Sequence, residues 1–161
     1  ARIVDVKRGE AGSPGELEGC FGAADVRGCI EENTDYGIFG VMDRTAAPLR
    51  RAMPVALPDE VESGAATILA CVAGETAEEY EVEISRSGIM AGDGRDLVIR
   101  VTDPELLAMT GGIVQGMSGS PILQNGMLVG AVTHVLVSDP TKGYGISIED
   151  MLEASEAELA A

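Results

Sequence analysis

Aromatic side chains are nearly missing from this chain: three Tyr, two Phe and no Trp in 161 residues. A core of normal density must therefore be assembled from Val, Ile, Leu, Met and Ala, and an apolar content of 45% is sufficient for that. Basic side chains are scarce as well, 11 against 27 acidic ones. The resulting formal charge of −16 argues against nucleic acid as a partner, because phosphate binding needs clustered Lys and Arg. No apolar run approaches the roughly 18–20 residues of a membrane span, and the opening residues do not read as a signal peptide. Three cysteines, Cys20, Cys29 and Cys71, cannot all pair within the chain, and no Cys-x-x-Cys spacing points to a metal. Cys20 and Cys29 could close a nine-residue loop, although buried thiols are the expected state. No cofactor is expected. The length suits one domain, or two small halves sharing a core.

The patterns that are present are those of β-structure. Residues 2 to 7 alternate as a strand, and Gly9 to Gly15 with Pro14 form a turn-rich loop. Tyr36-Gly-Ile-Phe-Gly-Val-Met42 is the best strand candidate within a mixed stretch from 26 to 42. Asp43 to Ala52 is polar and basic, and Pro48, Pro54 and Pro58 predict an extended, irregular connection. Ala65 to Val72 is a short apolar run, and Glu79-Tyr-Glu-Val-Glu-Ile-Ser85 alternates strictly. Gly92-Asp-Gly94 predicts a turn, and Leu97 to Thr102 another strand. Pro104 suits the first position of a short helical turn. Asn125-Gly126 between apolar runs is the strongest short-range hairpin signal. Ser138 to Gly145 reads as a loop, Ile146 to Ile148 as a short strand, and residues 149 to 161 as a C-terminal helix. The expected fold is all-β, a barrel or sandwich with one late helix.

Chemistry concentrates in Gly111-Gly-Ile-Val-Gln-Gly-Met-Ser-Gly-Ser-Pro-Ile122. Ser118 stands between Gly116 and Gly119, which leaves its hydroxyl uncrowded and nearby backbone N–H groups free to face a substrate oxygen. Acyl transfer needs that combination of nucleophile and oxyanion donors. A plain Gly-rich turn is the competing reading. If Asn125 and Gly126 are the central turn residues, Gln124 faces Met127, Ser118 faces Thr133, and Met117 faces His134. His134, the single histidine, then projects away from Ser118, and a bulge in the hairpin would reverse that. It therefore reads as a packed or pocket-lining residue rather than the general base. Asp103 could orient a base or could cap the helix that Pro104 begins.

The same residues resemble a known family. Thr110 to Ile122, Asn125-Gly126, Leu128-Val-Gly-Ala-Val-Thr-His134, Asp139-Pro140 and Gly143-Tyr-Gly145 are closely similar to the SpoIVB family of sporulation serine peptidases. Val101-Thr-Asp-Pro104, Tyr36-Gly-Ile-Phe-Gly40 and Met53-Pro-Val-Ala-Leu57 fit that pattern. The match is strong from about residue 34 to 152 and collinear before it. The segment around Ser118 also looks like the last part of a trypsin-like barrel. The resemblance implies a trypsin-like β-barrel, incomplete at its N-terminus, with a short C-terminal helix.

On that analogy Ser118 is the nucleophile, the N–H groups of Gly116 and Ser118 form the oxyanion hole, and Asp103 orients the base. Thr133 would brace the acid, and Thr133, His134 and Val135 would pair with the substrate backbone as an added strand. Two departures follow. Met117 replaces the acidic residue that receives a freed N-terminus in trypsin-like zymogens, so activation by that salt bridge is not expected. The family's catalytic histidine lies upstream of these residues, as do a membrane-proximal segment and a PDZ domain, so residues 1–161 read as a protease-domain fragment of low activity. The implied role is regulatory cleavage of a protein substrate during sporulation, leading to sigma-factor activation, outside the cytoplasm. The alternatives are a non-catalytic peptide-binding β-domain and a small self-associating one.

Overall fold

The computed structural model describes residues 1–43, 52–86 and 95–159. Pro48 and the predicted turn at 92–94 lie outside them. Two two-stranded sheets precede a closed barrel of six strands. The first sheet pairs β1 (Arg2–Lys7) with β2 (Glu16–Cys20), and the second pairs β3 (Gly28–Thr34) with β4 (Gly37–Met42). The barrel consists of β5 (Gly64–Ala70), β6 (Glu78–Arg86), β7 (Leu97–Val101), β8 (Pro121–Gln124), β9 (Met127–Val135) and β10 (Lys142–Ser147). Its antiparallel ring runs β5-β6-β7-β10-β9-β8 and closes on β5. The expected mainly-β, trypsin-like barrel is thus what the chain forms.

Strict alternation makes the ring. In β6, Tyr80, Val82 and Ile84 face inward while Glu79, Glu81 and Glu83 face out, and in β7 Leu97, Ile99 and Val101 are buried. Ile68, Ile99, Ile122 and Leu106, each with no exposed surface, sit in a core whose only buried aromatic among the described residues is Tyr80. The aliphatic core demanded by the composition is the one observed. Asn125 and Gly126 turn the β8–β9 hairpin with φ of 52° and 77°, the paired left-handed backbone of a two-residue type I′ turn.

Consecutive strands β7 and β8 are not neighbours. Helix α1 (Pro104–Thr110) and residues 111–120 carry the chain between them, past the loop that joins β9 to β10. The C-terminal helix α2 (Ile148–Leu159) begins one residue earlier than the sequence predicted.

Three expectations need correction. The segment from Lys142 to Gly145, read as loop, is the larger part of β10. Its glycines hide a strand because they are where backbones crowd: a Cβ on Gly143 would lie 2.3 Å from the His134 carbonyl oxygen. The thiols of Cys20 and Cys29 are exposed rather than buried, since β2 and β3 lie outside the barrel, and all three cysteines are free. The third correction concerns hairpin register and belongs to the site.

Candidate active site

The segment carrying Ser118 is built from its apolar residues. Ile113, Val114 and Met117 are buried and pull the chain against the barrel end, while Gly116, Ser118 and Gly119 are left exposed. Upstream, Gly111 ends α1 in the left-handed conformation, its N–H donating to the Leu107 carbonyl. The buried Thr110 hydroxyl donates to the carbonyls of Leu106 (2.9 Å) and Gly112 (2.5 Å). The Ile113 N–H donates to the Pro140 carbonyl at 2.8 Å, which fastens the segment to the β9–β10 loop. That loop is itself braced. Asp139 accepts from the hydroxyl of Thr141 at 2.6 Å and pairs with Lys142 at 2.9 Å, and these contacts, the Thr141 bond first, hold its carboxyl below the usual range. Met117, at 1% exposure, is packed in the core.

Between these anchors the backbone alternates in a way that bears on chemistry. Met117 N–H donates to Val114 and Gly119 N–H to Val132. Among the described residues no acceptor is paired with the N–H of Gly116 or of Ser118. The Ser118 hydroxyl is exposed and donates to the backbone carbonyl of Thr133 at 2.9 Å.

The register that was expected to set this meeting does not hold. Gln124 does face Met127, and Leu123 faces Leu128, but Ile122 then faces Gly130, which leaves Val129 as the extra residue of a β-bulge. β8 pairs with β9 as far as Ala131, and Gly119 and Ser120 then bond to Val132. A second irregularity lets Tyr144 face His134 while Gly145 faces Val132, so Thr133 is skipped by β10. Ser118 still meets Thr133, but through its backbone oxygen and not as the opposed pair of side chains that the sequence predicted. Val135 is half-buried and packed against the core, and His134 is exposed. From His134 to Val135, β9 is paired with β10 on one flank.

Asp103 is where both sequence readings put it, at the end of β7 and the start of α1. Its Oδ1 accepts from Glu105 N and Leu106 N at 2.9 Å each, and its Oδ2 accepts from Glu81 N at 3.3 Å. Among the described residues no hydrogen bond joins Asp103 or His134 to Ser118. No group of three or more His, Cys, Asp or Glu side chains is placed to hold a metal ion, again among the described residues.

Sequence reasoning missed the residues that grip this segment from the other side. Gln115 N–H donates to Gly15 O and Leu17 N–H to Gln115 O, both at 2.9 Å, in a parallel bridge between Glu16 and Gln115. Gly9 N–H donates to Thr110 O at 2.8 Å. No local signal could have revealed this pairing, because the partners are about a hundred residues apart, as the Arg8-to-Ala108 bond illustrates.

The family model described as SpoIVB peptidase S55 matches residues 1–152, the span over which the sequence resemblance runs, strong from residue 34 and collinear before it. No curated protein and no solved structure gives a match. With 152 of its 161 residues covered, the chain belongs to the SpoIVB peptidase family.

Proposed function

We propose that the chain carries the nucleophile and oxyanion side of a serine endopeptidase, with Ser118 as the attacking residue. The observation that supports this best is the exposed Ser118 hydroxyl on a segment where, among the described residues, the N–H groups of Gly116 and Ser118 have no partner while those of Met117 and Gly119 do. Ser118 Oγ adds to the scissile carbonyl, its proton passes to a base, and the two N–H groups receive the oxyanion. The amine leaves with a proton from the same base, and water releases the acyl group. Asp103 orients that base, Thr133 braces the acid, and the substrate backbone adds to β9 at Thr133, His134 and Val135.

The base is not His134 in this reading. The only imidazole of residues 1–161 is exposed and lacks a hydrogen bond to Ser118 in the structure. Residues 1–161 alone are accordingly expected to cleave peptides slowly, with the residual rate that binding and oxyanion donors retain, roughly 10³ to 10⁴-fold over water. A fluorophosphonate probe checks this directly. Rapid labelling of Ser118 in residues 1–161 would return His134 to the role of base. Cleavage by the protein at its natural length should vanish in Ser118→Ala, and undiminished cleavage there would remove Ser118 from the mechanism.

Family membership supports a protein substrate. By the resemblance read in the sequence, the cleavage is a regulatory one in sporulation signalling, upstream of sigma-factor activation and outside the cytoplasm. In a spore-forming host, Ser118→Ala should block spore formation at normal protein level. A second reading, a peptide-binding β-domain without catalysis, is favoured by the missing hydrogen bond between Ser118 and any imidazole. Peptide binding with no cleavage by the protein at its natural length would select it.

A further inference from the structure

Residues 8–17 form a strap across the nucleophile segment. Arg8 donates to the Ala108 carbonyl near the end of α1, Gly9 N–H to Thr110 O, and Gly12 N–H to Val137 O. The strap is shaped by its own closure: Glu10 and Ser13 bond to each other through both backbone groups. Its last residue, Leu17, packs on the core and places its Cβ 3.1 Å from the point a Cβ on Gly116 would occupy.

The decisive contact is the bond from Leu17 N–H to Gln115 O at 2.9 Å. A trans peptide carries its C=O and N–H on opposite sides of one rigid plane, and no peptide bond in the described residues is cis. Holding the Gln115 carbonyl toward Leu17 therefore forces the Gly116 N–H to point away from the strap. The plane before it is fixed likewise, since Gln115 N–H is held by Gly15 O. Gly116, with φ of 98° and no side chain, is otherwise the place where this segment would rotate most easily.

We propose that Leu17 is a positioning residue for catalysis, whose backbone N–H locks the Gln115–Gly116 peptide so that the Gly116 N–H stays in the oxyanion hole. The proposal rests on the reading of Ser118 as nucleophile for its catalytic consequence, but not for its geometric one. It gives the site a preorganised donor without a charged N-terminus bound beside the nucleophile, in keeping with Met117 at that position.

Leu17→Pro tests it at the protein's natural length. Proline removes the N–H. Because that N–H serves Gln115 rather than the β1–β2 ladder, the pairing of β1 with β2 keeps its own hydrogen bonds. The expected result is a fall in kcat of roughly 10²–10³, the loss produced by one oxyanion donor, with KM unchanged. Leu17→Ala keeps the N–H and should retain most of kcat. The ¹⁵N–¹H residual dipolar coupling of Gly116 should change in Leu17→Pro and stay at the wild-type value in Leu17→Ala, with the remaining barrel couplings unchanged in both. Wild-type kcat in Leu17→Pro, an unchanged Gly116 coupling, or an equal loss in Leu17→Ala would overturn the proposal. Ser118→Ala separates the two ideas. If it cleaves like wild type, the serine reading fails and the Gly116 coupling alone decides the strap.

Discussion

Asp103 has two carboxylate oxygens, and three backbone N–H groups already use them. An ionised carboxylate offers about four lone-pair positions, so one direction is left for a base. Capping a helix and orienting an imidazole are therefore compatible in one residue, and the substitution that separates them is Asp103→Asn. Asparagine caps a helix as well as aspartate does, so the cap should hold and stability should fall only by the Glu81 bond that Oδ2 accepted. The charge and the correct imidazole tautomer are lost, so kcat should drop by roughly 10⁴. Full activity in Asp103→Asn would reduce Asp103 to a cap. Ser118 and Asp103 were both legible in the sequence, because each stands in a local context of its own, glycine neighbours for one and a following proline for the other. Leu17 and Gln115 were not. Their contribution is a pair of backbone hydrogen bonds, and backbone atoms carry no residue-specific signature.

Gln124 ends β8 and holds that strand to the start of β5. Its side chain is 6% exposed, accepts from Glu62 N at 3.0 Å and donates to Glu62 O at 2.9 Å and Ala65 O at 3.1 Å. Truncation in Gln124→Ala leaves those groups without partners beside a small cavity, and should cost about 2 kcal/mol or more in urea unfolding. A cost near zero would mean that water replaces the amide. At the same end of the barrel Asp96 accepts from Ser147 N at 3.0 Å, next to the first turn of α2. Burial, with a further contribution from the Asp150 charge, raises its carboxyl above the usual value despite the Ser147 bond. A raised folded value means stability that is full below the unfolded carboxyl value near 4 and is lost as pH rises through the folded one. Asp96→Asn keeps an acceptor for Ser147 and removes the charge. It should raise Tm at pH 7, and the gain should shrink toward pH 4. Asp139 has the opposite sign, so its contribution should be present above about pH 4 and fade below it. At this scale the sequence was most informative where alternation was strict, as in β6, or where turn chemistry was specific, as at Asn125-Gly126. It failed at the Val129 bulge, where Val-Gly-Ala fits a regular strand equally well.

Across the whole molecule, a charge of −16 on 161 residues makes self-repulsion a standing load on the folded state. Screening should relieve it, so Tm at pH 7 is expected to rise between low salt and about 0.15 M, where the Debye length falls to ~8 Å. A flat response would show that local ion pairs such as Arg100–Glu83 already balance the field. The two hairpins outside the barrel carry much of the exposed apolar surface, including Phe21 at 78% and Ile38 at 64%. Self-association through them is a proposal that sedimentation equilibrium would decide. Composition foretold the aliphatic core, and repeated alternation with spaced turn signals foretold the all-β class, because both rest on many residues at once. Which strands neighbour which depends on pairings between distant segments, and no window of sequence contains them. That pairing has a kinetic side. The ring closes where Thr67 meets Leu123 and where Gly145 meets Leu97, contacts that span long stretches of chain and form slowly for entropic reasons. Ser118 lies on the crossover between the last strand of the first half and the first strand of the second. During synthesis and refolding, its surroundings are assembled only as the ring shuts, so a half-folded copy has the serine without the contacts that position it.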